Sequence, residues 1–186
     1  METIFSHDRA YRYTLWRNWG DYEDDPFPVM FIGLNPSTAD EKQDDPTVRR
    51  CIGFAKEWGF KSMVMTNIFA YRSTDPKALA RVDDPVGPEN DSYIAITAKS
   101  ASIIVCCWGS QGSYRNRGGR IFDLLSSMHV LNTLGFTKNG CPRHPLYLRK
   151  GTQLQFWGKG IQINVVTPTS AVVYAPDFFG EGEGKK

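Results

Sequence analysis

The sequence predicts an α/β protein of three layers, in which helices cover both faces of a central, mostly parallel sheet of four or five strands. Short, continuous apolar runs at 29–34, 62–68 and 102–107 are typical of strands that are buried on both faces. Helix-like segments lie between these runs, and such alternation is typical of parallel sheets. Each run also ends in a polar loop, which places those loops at one edge of the sheet.

The length and composition of the chain predict one domain with a short tail. A chain of 186 residues is long enough to bury a substantial core, and we predict a single domain over 1–179 with a disordered tail over 180–186. The net charge of +2 gives no strong long-range attraction for nucleic acid. No apolar run approaches the roughly 18 residues of a membrane span, and the first residues do not resemble a signal peptide. The expected location is therefore cytoplasmic.

The first elements begin with an alternating edge strand over 9–16. The buried strand at 29–34 follows an acidic turn that contains proline. A helix then begins with Asp45 as its N-cap and Pro46 at its first position, and Gly59 ends it.

The second half of the chain continues the alternation. Its predicted elements are a strand at 62–68, a helix at 89–101, a strand at 102–107, a flexible basic stretch at 112–119, a helix at 120–128, a strand near Val130, a loop at 135–148 and a hairpin of strands at 153–157 and 161–166.

The four cysteines favour a core role over metal binding. Cys51, Cys106, Cys107 and Cys141 form no Cys-x-x-Cys pair. Adjacent Cys106 and Cys107 on a strand point to opposite faces. We therefore expect reduced thiols, no metal and no cofactor.

The polar loop after the first buried strand holds the first candidate site residues. Asn35, Ser37, Thr38 and Asp40 follow Leu34 directly. In α/β proteins ligands bind outside the carboxyl ends of the strands. We therefore expect Asn35 to take part in catalysis and the other three to contact a polar substrate.

Two further strands end in groups that suit a nucleobase. Asn67, Tyr71 and Arg72 follow the second buried strand, and Trp108 and Gly109 follow the third. Asparagine amides offer donors and an acceptor for a base edge, and aromatic rings stack on its face. Arginines could contact phosphates; the candidates are Arg49, Arg72, Arg115, Arg117 and Arg143.

A histidine in a stiff loop is the second catalytic candidate. His144 lies between Pro142 and Pro145, and neither His7 nor His129 has such a setting. A fixed imidazole suits acid–base work or the stabilisation of a developing anion.

Several short strings resemble the bacterial and phage family called domain of unknown function 1643, over about Arg12 to Leu148. They are Leu34–Asp40, Asp44–Thr47, Asn67–Arg72, Pro85–Asp91, Trp108–Gly109 and Pro142–Leu148.

The layout also resembles the uracil-DNA glycosylase superfamily. Gly33-Leu34-Asn35-Pro36 is similar to the first motif of one branch, which implies that Asn35 positions the attacking water. Thr66-Asn67 followed by Arg72 resembles a second motif, with Asn67 recognising the base. His144-Pro145-Leu146 resembles a late motif, with His144 stabilising the departing base anion. The acidic residue of stronger branches is absent from the first motif, and Leu146 stands where serine is common.

These features together predict a nucleobase-processing enzyme that binds a base or modified nucleotide, free or in nucleic acid, and hydrolyses an N-glycosidic bond. One alternative is a nucleotide- or nucleic-acid-binding module without catalysis. Another is a phosphoryl enzyme in which Asp40, Glu41, Asp44 and Asp45 hold Mg²⁺.

Overall fold

The structure is a computed structural model and describes residues 2–20, 27–158 and 161–164, the last range by its backbone alone. The tail predicted over 180–186 and most of the acidic turn lie outside the described residues.

Within the described residues, eight strands form one mixed sheet. They are β1 (Ile4–Phe5), β2 (Arg12–Asn18), β3 (Val29–Gly33), β4 (Ser62–Asn67), β5 (Ile103–Cys106), β6 (Leu131–Thr133), β7 (Gln155–Gly158) and β8 (Ile161–Asn164). Their spatial order is β1-β2-β4-β3-β5-β6-β7-β8.

The parallel part of the sheet is its centre. Strands β4, β3, β5 and β6 pair in parallel, whereas β2 lies antiparallel against β4 and β7 lies antiparallel against β6. The parallel core agrees with the prediction, but the sheet is larger and more mixed. The strand predicted over 9–16 forms as β2, but it is not an edge strand, because β1 pairs on its outer side. The predicted hairpin forms as β7 and β8, and β7 joins it to the central sheet.

In the part of the chain that the structure describes, three α-helices cover the two faces of the sheet. Helix α1 (Pro46–Glu57) lies on one face; α2 (Asn90–Lys99) and α3 (Arg117–Leu125) pack on the other. The side chain of Asp45 caps α1 by accepting from the Val48 N–H at 2.8 Å, as predicted. Helix α3 begins three residues before its predicted start, because the basic stretch folds into a 3-10 helix at Ser110–Asn116 that runs into it.

Alternation along the strands divides the core. Ile32 and Cys106 face α2 and α3, whereas Phe31 and Cys107 face α1. The prediction for the adjacent cysteines is thus confirmed, and the four cysteines are free thiols. Burial raises the pKa of Cys106 and of Cys51, so both remain protonated parts of the core.

Among the described residues, none of the helices combines the length and apolar character needed to cross a bilayer.

Candidate functional site

The loops that follow the central strands are joined to one another at the carboxyl edge of the sheet. The Ser73 N–H donates to the Pro36 carbonyl at 2.9 Å, which ties the loop after β4 to the loop after β3. The Gly109 N–H donates to the Pro142 carbonyl at 2.8 Å, which ties the loop after β5 to the His144 loop. The loops are therefore tied in two pairs, one made by the loops after β3 and β4 and the other by the loop after β5 and the His144 loop.

Asn35 is held in a single orientation. Its Nδ2 donates to the carbonyls of Pro36 and Ser73 at 3.0 and 2.8 Å. Both donors of the amide are therefore used within the loops, and Oδ1 is left without a hydrogen bond to any described residue. Asn35 is half-buried, so this oxygen is a pre-oriented acceptor at the strand end.

Asn67, the last residue of β4, is the most unusual polar side chain of the site. It is 1% exposed, and neither Oδ1 nor Nδ2 has a hydrogen-bond partner among the described residues. Its amide lies over Gly33, where an added Cβ would come within 2.8 Å of Asn67 Oδ1. Glycine at the end of β3 thus leaves the space that this amide occupies.

His144 caps a short 3-10 helix, Pro145–Tyr147. Its Nδ1 accepts from the Leu146 N–H at 3.4 Å, so the neutral ring carries its proton on Nε2. Burial lowers the pKa of His144, and the nearby charge of Asp45 opposes the effect only partly. Gly109 permits the close approach of the two loops, since a Cβ there would lie 3.3 Å from His144 Cβ.

A cleft of about 470 Å³ brings four of the predicted substrate-binding residues together. Ser37 and Thr38 form the wall after β3, and Tyr71 and Arg72 form the wall after β4. The cleft is completed by Arg9, Ala10, Ser73 and Thr74.

Arg12, at the start of β2, belongs to this region and has no counterpart in the sequence-based prediction. It is 1% exposed; one Nη donates to the Ala39 carbonyl at 2.9 Å, while its Nε has no partner among the described residues. Burial lowers its pKa to about 10, and Asp45 opposes this while Arg72 adds to it. Sequence offers little signal for this role, because β2 also contains Thr14, Arg17 and Asn18.

Trp108 does not suit the stacking role predicted for it. Its ring is 2% exposed and belongs to the core beneath α3. Gly112 and Gly118 cover it so closely that a Cβ on Gly112 would overlap the indole, and Trp157 packs edge-on against it at 5.6 Å between ring centroids. The aromatic residue that remains at the cleft is Tyr71.

The acidic residues after β3 are engaged in local structure. Asp40 Oδ1 accepts from the N–H groups of Lys42 and Gln43 at 2.8 Å each, and these bonds lower its pKa. Asp44 pairs with Arg17 at 2.6 Å, and Glu41 pairs with Arg9 at 2.8 Å. Asp45 caps α1. No group of three or more potential metal ligands occurs among the described residues.

The predicted phosphate-binding arginines do not form one group. Arg117 is buried and pairs with Asp91, so it is part of the scaffold. Arg49, Arg115 and Arg143 are exposed; Arg49 donates to the Asp44 carbonyl, and Arg115 donates weakly to that of Asp83. Of the five predicted arginines, Arg72 alone lines the cleft, where it is joined by Arg9.

A family model described as a protein of unknown function (DUF1643) matches residues 12–146. Neither the search of curated proteins nor that of solved structures returned a match.

Proposed function

The chain belongs to the DUF1643 family, whose model covers well over half of its length, and from the geometry of its strand-end loops we propose that it is a nucleobase-processing enzyme. It binds a base or modified nucleotide at the carboxyl edge of the sheet and hydrolyses the N-glycosidic bond.

The unpartnered amide of Asn67 is the observation that carries this proposal. Leaving a buried polar group without a hydrogen bond costs about 1–3 kcal/mol, and Asn67 leaves both ends of its amide in that state. A base edge presents a donor and an acceptor side by side and would satisfy both at once. Because these atoms are shielded from solvent, a base would reach Asn67 only when the neighbouring loops part.

His144 supplies stabilisation of the leaving group. Cleavage of an N-glycosidic bond places negative charge on the departing base. A neutral imidazole whose Nδ1 already accepts from Leu146 has its Nε2–H available to donate to a base oxygen. The lowered pKa of His144 keeps the ring in this neutral form near pH 7.

The role of Asn35 in this proposal is to position the attacking water. With Nδ2 held by two carbonyls, Oδ1 can accept a hydrogen bond from water and hold it below the sugar. An amide is not a general base, so the sugar must develop most of its positive charge before water attacks. Water then adds to the sugar carbon, and its proton is taken up finally by the base anion.

The fold supports the same proposal. Four parallel strands lie between helical layers, and the parallel strands β3 and β4, which precede Asn35 and carry Asn67, end at the same edge; this is compatible with the base-binding site we propose.

The test is release of a free base. Purified protein is incubated with DNA that carries uracil or a modified pyrimidine, and with the matching nucleosides, and the products are separated by chromatography. We expect release that is lost in Asn35→Ala and His144→Ala. It should persist in the matched controls Asn139→Ala, in an exposed position of the late loop, and His129→Ala, beyond α3. No release from a broad panel would refute hydrolysis.

Binding without hydrolysis is the second candidate, and the engaged carboxylates favour it. Asp40 and Asp44 are both held in local bonds, so neither is free to activate water beside Asn35. On this alternative the base binds, Asn67→Leu abolishes binding, and no product forms.

A further inference from the structure

The cleft beside Asn35 contains an arginine with unmet hydrogen-bonding capacity. Arg72 is half-buried and lines the cleft. One of its Nη groups donates to the Arg9 carbonyl at 3.2 Å, and the guanidinium lies 4.9 Å from the centroid of the Phe5 ring. Its Nε is buried and has no partner in the described part of the chain. The group is therefore held in place while a donor stays unused.

A second guanidinium near the first also has an unmet donor. Arg12 is almost fully buried, and its Nε is likewise without a partner among described residues. Arg12 and Arg72 are close enough for their charges to oppose each other. The neighbouring Glu41 carboxylate is bonded at both oxygens by Arg9, at 2.8 and 2.9 Å. Two neighbouring guanidinium groups, each with an Nε–H that has no partner among the described residues, suit the binding of an anion such as phosphate.

The remaining walls of the cleft supply hydroxyl groups. Ser37, Thr38, Ser73 and Thr74 line it, and hydroxyls join arginine in contacts to phosphate oxygens. A volume of about 470 Å³ lies within the range of ligand sites and accommodates a phosphate with its sugar.

The cleft is also continuous with the site for the attacking water. The Ser73 carbonyl, in the loop after β4, accepts from Asn35 Nδ2 at 2.8 Å, and Ser37 of the cleft wall lies two residues beyond Asn35 in the loop after β3. A phosphate in the cleft would therefore stand next to the sugar whose bond is cleaved.

We propose that this cleft is a phosphate subsite, in which Arg72 binds the phosphate of a nucleotide or nucleic-acid strand and Arg12 supports it from within the fold. This inference rests on the proposed function for the position of the base, but the phosphate site stands on its own contacts.

The test is titration calorimetry with three probes: inorganic phosphate, a 5′-mononucleotide and a short single-stranded oligonucleotide. Wild type and Arg72→Gln are compared with Arg120→Gln, which removes the same charge from an exposed position on α3. We expect Arg72→Gln to weaken binding of the mononucleotide or oligonucleotide by about tenfold or more, as loss of a charged hydrogen bond does. Arg120→Gln should bind like wild type.

Arg72→Lys keeps the test decisive if Arg72→Gln fails to fold, which circular dichroism would reveal. Lysine retains the charge but not the planar set of donors. The affinity of Arg72→Lys for the probes should therefore lie between those of wild type and Arg72→Gln. If only Arg72→Lys folds, its affinity should be lower than that of wild type. Equal affinity of all variants, equal losses in Arg72→Gln and Arg120→Gln, or no binding of any probe by wild type would overturn the inference.

The probes also separate the sources of the phosphate. Tighter binding of the oligonucleotide, weakening steeply with salt, would identify a strand; equal affinity would identify a single nucleotide. Binding that depends on Arg72, without base release, would refute the proposed hydrolysis and leave the phosphate subsite intact. Base release that is indifferent to Arg72→Gln, without phosphate binding, would refute only the subsite.

Discussion

Two buried arginines near the carboxyl edge of the sheet differ in how fully they are bonded. Arg117 donates from Nε to the Ile68 carbonyl at 2.7 Å, and both of its Nη groups donate to Asp91. Arg12 donates from one Nη to the Ala39 carbonyl, and its Nε has no partner among the described residues. The two are 3% and 1% exposed, so burial alone does not distinguish them.

Two buried asparagines, Asn90 and Asn67, also differ in how many hydrogen bonds their side chains make. Asn90, the first residue of α2, donates from Nδ2 to the carbonyls of Asn67 and Ile68 at 2.9 and 3.3 Å. The amide of Asn67 itself has no such bond. We call the set Arg117, Asp91 and Asn90 the bonded region, because the donor nitrogens of Arg117 and Asn90 are all used, although Asn90 Oδ1 has no partner among the described residues. We call the set Arg12, Asn67 and His144 the unbonded region, although Arg12 and His144 each make one side-chain hydrogen bond.

The comparison teaches how to separate scaffold from site. The bonded region holds the backbone just beyond β4 in place, because Arg117 and Asn90 both donate to the Ile68 carbonyl. The unbonded region retains hydrogen-bonding capacity at a cost in stability. A variant in the first should therefore reduce folding stability, whereas a variant in the second should reduce ligand binding.

The largest expected effect is on the bonded region. Arg117→Met keeps the apolar stem but removes three donors and leaves Asp91, which is half-exposed, without its partner. We expect the free energy of unfolding to fall by about 2–3 kcal/mol, the value of hydrogen bonds to charged groups, measured by urea denaturation. Arg120→Met on the exposed side of the same helix should cost far less. A loss no greater than that of Arg120→Met would remove the basis of the comparison.

Gly33→Ala tests the space under Asn67. The added Cβ would approach both Asn67 Oδ1 and Met65 Cε to 2.8 Å, so the amide or the strand must shift. Overpacking of this kind costs about 1–3 kcal/mol, and base or nucleotide binding should weaken as well. In Gly53→Ala on α1 the new methyl meets no atom within 4 Å, so this control should stabilise the helix by up to about 1 kcal/mol. Unchanged stability and binding in Gly33→Ala would show that Asn67 needs no such space.

A pair of matched substitutions compares the two asparagines directly. Asn67→Leu removes two unmet polar groups in a volume of similar size, so the stability should stay within about 1 kcal/mol of wild type. Binding of base or nucleotide should nevertheless be lost. Asn90→Leu leaves two carbonyls without their donor and should cost about 1–3 kcal/mol. If Asn67→Leu were the more destabilising of the two, Asn67 would belong to the scaffold.

The sequence predicts the frame of this site better than its chemistry. The apolar runs at 29–34, 62–68 and 102–107 correspond to β3, β4 and β5, because strands buried on both faces must be continuously apolar. The prediction that the loops after these strands converge follows from parallel pairing. Asp45 and Pro46 define the start of α1 through local bonds that depend only on near neighbours.

Side-chain partners were not predictable in the same way. Arg117 begins a helix and Arg72 lies in a loop, and neither setting reveals the partner of the side chain. Arg117 is a scaffold residue because it pairs with Asp91, which is distant in sequence. Trp108 follows a strand as Tyr71 does, yet Gly112 and Gly118 open a space in the core that its ring fills. The buried position of Arg12 was not predictable either, because its hydrogen-bond partner, the Ala39 carbonyl, lies 27 residues away in sequence.

The pH dependence of stability is the smallest effect and tests the last member of the unbonded region. Burial lowers the pKa of His144 below its ordinary value of 6.5. Between the folded and the ordinary pKa only the unfolded chain takes up the proton, so the free energy of unfolding rises with pH through that window. The stability is thus fully present above about pH 6.5 and declines as the solution is acidified.

Comparison of wild type with His144→Gln isolates this contribution. Glutamine can still accept from the Leu146 N–H but does not titrate, so its denaturation profile should be flatter than that of wild type between about pH 7 and pH 5. His129 also has a lowered pKa, caused by burial and by Lys99, and His129→Gln should remove a separate part of the slope. A profile of His144→Gln as steep as that of wild type would mean that His144 accepts a proton freely in the folded protein. Its ring would then be protonated in part near neutral pH, and burial would not secure the neutral Nε2–H donor that the proposed chemistry requires.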